Sequence, residues 1–133
     1  MDYIKSFNKE IEQHRKQEPN NSAIKVILRY MKENRYTDYY SAMDSLGLKV
    51  GLEFCVENLY NPNYEFIGYI PSIKYLPHNP AKHEAGLFPL RRDEDYFKSA
   101  TKAYAYVAKE YYYRLMSIHN LEELVFAPTE SLQ

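Results

Sequence analysis

Apolar residues recur at helical spacing over the first third of the chain and lose that rhythm in the middle. Ile4, Phe7 and Ile11 lie three and four residues apart between Asp2, a capping residue type, and Pro19, which stops a helix. Residues 3–17 are therefore predicted as a short amphipathic helix, and a stripe of three residues makes it an outer one. Asn20, Asn21 and Ser22 offer caps for a second helix reaching Asn34, with Ile24, Ile27, Leu28 and Met31 on one face. Its other side carries a basic stripe of Lys25, Arg29 and Lys32, continued by Tyr36. Thr37 and Asp38 open a third helix over residues 38–46, which buries Tyr40 and Met43 and is expected to end at Gly47.

The segment Ile27 to Tyr36, followed by Ala42 and Met43, resembles the LisH dimerisation hairpin, departing from it at Tyr39 and Tyr40, where that pattern has small residues. No function is carried over from it. Residues 48–60 fit two periods. Leu48, Val50, Leu52, Phe54 and Val56 alternate as in a strand, while Leu48, Leu52, Cys55, Val56 and Leu59 fit a helix. Thirteen residues are long for a strand, so a helix is predicted. From Asn61 the chain turns proline-rich, with Pro62, Pro71, Pro77, Pro80 and Pro89 all falling before residue 90. Residues 64–70 read as a strand that pairs with residues 73–76 across Pro71 and Ser72, and residues 77–92 read as a long loop.

Asp93, Glu94 and Asp95 then open the strongest helical pattern, residues 94–118, the expected spine of the fold. Its core arc holds Phe97, Ala100, Tyr104, Val107, Ala108, Tyr111, Leu115 and Ile118. Tyr106 and Tyr113 fall opposite, beside Ser99, Lys102, Ala103, Lys109 and Glu110. Residues 121–133 form a tail whose Leu124, Val125 and Phe126 either fold back onto the core or dock on another molecule. The fold class expected is mainly α: a single domain of four to five helices over residues 1–133, with a Pro-rich central loop or hairpin insertion at residues 61–92.

Composition narrows the function classes. The chain has 133 residues with 17 Lys plus Arg against 18 Asp plus Glu, so it lacks the concentrated positive face of a dedicated nucleic-acid or polybasic membrane module. Its hydrophobic content of 45% is too high for a disordered chain, and no apolar run is long enough to span a bilayer. No signal peptide is suggested, and the expected location is cytoplasmic or otherwise intracellular. A lone Cys55 excludes an internal disulfide framework. The anomaly is tyrosine, 15 residues against no tryptophan.

His78, His83 and Glu84 are the only close group of metal-ligating types, but the histidines stand five apart with Pro80 between them, unlike the four-apart helical solution. Cys55 sits between Phe54 and Val56 as a buried thiol would. Arg91 and Arg92 precede three acids that would repel an anion. No phosphate loop or nucleophile elbow is present, and no cofactor is expected. The expectation is a non-enzymatic protein that works by contact, as an assembly subunit or as a viral or mobile-element factor on a host protein, its partner a protein or a second copy. The expected binding residues are Tyr106, Tyr113, Tyr69, Tyr75, Lys102 and Lys109, since tyrosine supplies apolar area and a hydroxyl at low entropic cost. The rival readings are a small metal- or ligand-binding enzyme using His78, His83 and Glu84, and nucleic-acid binding through the Lys25, Arg29 and Lys32 stripe.

Overall fold

The computed structural model describes residues 2–81 and 84–127. Helix α1 spans Asp2–Gln17, α2 Ser22–Asn34 and α3 Tyr39–Val50; then come strands β1 Leu52–Tyr60, β2 Phe66–Tyr75 and β3 Gly86–Pro89, a single 3-10 turn at Asp93–Asp95, and helices α4 Ala100–Met116 and α5 Leu121–Phe126. The Asn21 carboxamide oxygen caps α2 by accepting from the Ala23 and Ile24 N–H groups at 2.8 and 3.4 Å. Asp38 does the same for α3, accepting from Ser41 N–H at 2.9 Å.

The mainly-α expectation is overturned by an antiparallel sheet of order β1-β2-β3, which makes the protein a mixed structure in which helices predominate. Two readings failed there. Residues 52–60 are a strand and not a helix, because β2 pairs with them along their whole length, from Leu52 opposite Tyr75 to Tyr60 opposite Phe66. The anticipated hairpin across Pro71 and Ser72 is instead one continuous strand, β2, and the turn lies at residues 61–65. Pro71 is tolerated inside the central strand for a reason of register. Tyr69 exchanges both backbone bonds with Phe97, at 2.8 and 2.9 Å, so the odd-numbered residues of β2 turn their N–H groups away from β1. On that side β3 pairing begins only at Ser72, and Pro71 contributes there the carbonyl that accepts from Leu90 N–H at 2.9 Å. Residues 77–92 are accordingly not loop throughout, since 86–89 form β3.

Two helix boundaries also moved. Gly47 does not end α3; the helix runs one turn further, to Gly51, which adopts φ 73° and donates its N–H to the Gly47 carbonyl. Gly47 is small because Tyr111 crosses it: the Tyr111 hydroxyl donates to Met43 O at 2.9 Å and occupies the space a Cβ at position 47 would need, with the Leu52 carbonyl on the other side. The spine helix begins at Ala100 and not at residue 94, because the exchange with Tyr69 holds Phe97 extended, and Ser99 then caps α4. On α2 the buried face is Ala23, Ile24, Val26, Ile27 and Tyr30, while Leu28 is exposed.

Helix α4 lies against β1 and β2, α1 runs along α4, and α5 closes over α2 and α3. Cα partners across a sheet share a face, so Leu52, Phe54, Val56, Pro71, Ile73 and Tyr75 form the side turned to the helices. There Phe54 meets Phe7 of α1 at 4.8 Å, Tyr40 of α3 at 5.3 Å and Tyr111 of α4 at 5.1 Å. Helix α1 packs by one face, as expected of an outer helix: Phe7 and Ile11 are fully buried while Lys5, Lys9, Gln13 and Lys16 are exposed, Ser6 Oγ donates to Thr101 O at 2.6 Å, and Asn8 accepts from Tyr40 N–H at 2.8 Å. Its polar side ties to α3 through Glu12, which accepts from Arg15 Nε at 2.7 Å and from the Tyr39 hydroxyl at 2.5 Å.

Replacing Gly47 with Ala drives a methyl into the Tyr111 hydroxyl and the Leu52 carbonyl, and is expected to cost about 3 kcal/mol or more, read as a lower urea midpoint; an unchanged midpoint contradicts this packing. The Arg15 and Tyr39 hydrogen bonds hold the Glu12 carboxyl down from 4.5 to about 2. A depressed carboxyl stabilises the fold above its unfolded value and loses that contribution as pH falls through its folded value. Wild type should therefore exceed Glu12→Gln in stability at neutral pH by a margin that shrinks between pH 4.5 and 2, while a constant margin in acid melts refutes the assignment.

Candidate functional site

The residue types suited to metal or nucleophilic chemistry are engaged elsewhere. His78 Nε2 lies 2.9 Å from the Leu48 carbonyl, and the Asn79 amide donates to Val50 O and Gly51 O at 3.2 and 3.4 Å, so this segment satisfies the free carbonyls at the end of α3. Glu84 is exposed, and His83 lies outside the described residues. Among the described residues, no three His, Cys, Asp or Glu side chains are grouped to hold a metal ion. Burial pushes the Cys55 thiol up to about 11, helped by Glu57, whose carboxylate is 3.7 Å from Sγ, so the nucleophilic thiolate is disfavoured at neutral pH. The basic stripe is neutralised at its centre: Arg29 pairs with Glu33 and Glu122, each at 3.1 Å, and its guanidinium covers the Phe126 ring at 3.8 Å. Lys25 and Arg29 line a groove of about 380 Å³ between α2 and α5, together with Glu122 and Glu123. Leu124 to Phe126 belong to α5, where Val125 is buried on the chain's own core; the rest of the expected tail, residues 128–133, lies outside the described residues.

The tyrosines chosen from the sequence occupy different settings, Tyr69 and Tyr106 both meeting Phe97. Tyr106 is half-buried, with Phe97 at 5.4 Å, Arg91 at 5.2 Å and Lys109 at 5.1 Å from its ring, while Lys102 is exposed. Tyr113 is 46% exposed and meets α1 through His14 at 5.7 Å. Tyr75 accepts from Arg114 Nε at 3.1 Å and packs on Phe88 at 5.7 Å, toward the β3 end of the sheet. Tyr69 alone borders an open aromatic group, with Phe66 at 5.1 Å.

That group lies at the tip of the β1–β2 hairpin. Tyr60 is 53% exposed, Phe66 48% and Tyr64 90%, and Tyr60 meets Phe66 at 6.0 Å. The tip is rigid. Asn61 Oδ1 accepts from Asn63 N–H at 2.9 Å and Glu65 N–H at 3.0 Å, Asn61 N–H donates to Glu65 O at 2.9 Å, and Tyr64 N–H donates to Asn61 O at 2.9 Å. These bonds hold Tyr64 at φ 64°, a left-handed conformation that favours glycine. Sequence reasoning passed over Tyr60, Tyr64 and Phe66 because it placed residues 48–60 in a helix and paired residues 64–70 with 73–76, so that no turn brought the three together. The available signal was Asn61-Pro62-Asn63, a turn sequence between two stretches of alternating character.

Among the described residues no helix is long and apolar enough to cross a membrane. No family model matches the chain, and neither a curated protein nor a solved structure is significantly similar to it.

Because its ring touches little of the fold, Tyr64 adds strain without contributing packing. Tyr64→Gly is expected to raise the stability by about 1 kcal/mol in a denaturant titration; a destabilised variant would show that the ring supports the fold.

Proposed function

We propose that the protein acts without catalysis, by binding another protein through the aromatic tip of the β1–β2 hairpin, as an accessory or assembly subunit does. The observation that carries this reading is Tyr64: a tyrosine in a glycine-favouring conformation, 90% exposed, on a turn fixed by Asn61. Strain of this kind costs about 1 to 2 kcal/mol and clusters at functional sites; Arg35 takes it as the C-cap of α2, whereas Tyr64 caps no helix and displays its ring to solvent. Tyr60 and Phe66 broaden it into a patch. Aromatic rings of this kind supply the binding energy of protein interfaces, since a preset ring loses little freedom on association and excludes water from a large area. The tip is also acidic, and this favours a protein partner over an anionic one. From Val50 to Ile73 the chain has Glu53, Glu57 and Glu65 and no Lys, Arg or His; Glu53 meets Lys74 at 3.9 Å, while Glu57 and Glu65 form no ion pair among the described residues and disfavour nucleic acid and anionic lipid surfaces.

A photo-crosslinking residue at position 64, in the cells that naturally make the protein, is expected to give a discrete adduct with one protein. The adduct should vanish when Tyr60 and Phe66 are both replaced by Ser, and should be absent when the crosslinker stands at exposed Glu94. Equal labelling from positions 64 and 94 would dismiss the hairpin tip as the contact surface.

A further inference from the structure

The hairpin has a second open feature, its backbone edge. Strand β1 stands at the end of the sheet order, with β2 on one side and no strand on the other. The register fixes which groups face outward. Tyr69 bonds away from β1, so Gly68, Ile70, Ser72 and Lys74 face β1 and engage Leu59, Glu57, Cys55 and Glu53. Phe54, Val56 and Asn58 therefore turn their N–H and C=O groups away from β2, and no backbone or side-chain hydrogen bond meets them among the described residues; Phe54 is buried beneath the helices, so the edge opens at Val56 and Asn58. Proteins ordinarily blunt such an edge with Lys or Pro. The β3 edge follows that habit with Pro89, whereas β1 holds neither residue from Leu52 to Tyr60.

The side chains beside this edge state what it would accept. On one face Val56 and Asn58 lead to the Tyr60 and Phe66 rings; on the other, Glu57 is exposed and forms no ion pair within the described residues. Glu65, at the tip, likewise has no cation beside it, its carboxylate accepting only from the Asn61 amide at 3.2 Å. A second copy of β1 is a poor occupant, because it would bring another exposed Glu57, with no ion pair among the described residues, against this one. A strand with Lys or Arg on the Glu57 face and apolar residues on the aromatic face is complementary in both respects, and a cation that strays to the ring side also meets a favourable surface. We infer that β1 binds an extended, basic segment of the partner protein as an added strand, paired along Val56 to Asn58, with its Lys or Arg residues over Glu57 and its apolar residues against Tyr60 and Phe66. This deepens the contact reading above and rests on it: main-chain bonds supply affinity, and the two faces supply selection.

The test uses the full chain and a panel of labelled peptides of the same nine-residue length as β1, alternating Lys or Arg with Val, Leu or Tyr, followed by fluorescence anisotropy. At least one peptide should bind saturably. Binding should weaken by about tenfold or more when its basic residues become Glu, when alternate backbone nitrogens on one edge are methylated, and when the protein carries Glu57→Lys. Glu57 is exposed, so that variant should melt as wild type does; Asn58→Pro, which removes one outward N–H, is the second variant. Strand addition is overturned if no peptide saturates, if the methylated peptide binds as well as its parent, or if native mass finds a dimer that the peptide does not dissociate, which puts a second copy on the edge. Failure here with the position-64 adduct intact removes strand addition alone, whereas loss of that adduct removes the contact reading beneath it.

Discussion

Phe54 is the point at which the sheet and the helices become one structure. Its ring meets Phe7 from α1, Tyr40 from α3 and Tyr111 from α4, and Phe7 and Tyr40 also meet each other at 5.2 Å. Aromatic contacts of this kind contribute about 1 kcal/mol each beyond the area they bury, and the three edge-to-face pairs among them cannot slide without losing that geometry. The remaining architecture follows from accommodating them. Tyr111 must pass α3, so position 47 is glycine, and its buried hydroxyl must find an acceptor, which Met43 O provides. Tyr3 and Tyr104 extend the group outward at 4.4 Å, where the rings reach partial exposure.

The aromatic excess therefore has two physical uses. Inside, tyrosines and phenylalanines of α1, α3, α4 and the sheet fill the space between a helical layer and one face of that sheet, and the hydroxyls of Tyr39 and Tyr75 reach polar groups at its margin, Glu12 and Arg114. At the hairpin tip the same residue types continue along the same face of the sheet past the end of the helical layer, and nothing covers them among the described residues. An uncovered continuation of a core face is a surface already shaped for burial.

Charge separates this tip from the rest of the surface. Elsewhere acids and bases are interleaved and paired, as in Arg29 with Glu33 and Glu122, Arg15 with Glu12, and Arg114 with Glu110 at 3.1 Å. Of the Lys25, Arg29 and Lys32 stripe, those pairs engage the central cation, Arg29. Over residues 50–73 the cations are missing, and Glu57 and Glu65 keep their charge for a partner. The proposed strand addition joins this field to the open backbone edge, so the selectivity of the surface comes from where the fold leaves charge and hydrogen bonds unspent.

The local signals were sufficient for much of the helical half. Capping by Asn21 and Asp38, the stop at Pro19 and the periodicity of Phe7 and Ile11 are properties of neighbouring residues, and neighbouring residues set them. The sequence by itself also determined the acidic, cation-free stretch and the Asn61 turn, which depend on nothing distant. Only the tertiary structure decided whether residues 52–60 would be helix or strand, because both periods were present and the choice was made by pairing with β2. It likewise decided that Gly47 would sit inside a helix, since its smallness serves Tyr111, sixty-four positions away in the chain. It decided that Phe97 would be extended, since Tyr69 supplies its bonds, and that Tyr106 would be flanked by Arg91 and Lys109 while Tyr60, Tyr64 and Phe66 came to the surface. Exposure is a relation between a residue and everything packed around it, and a pattern of nearest neighbours does not contain that relation.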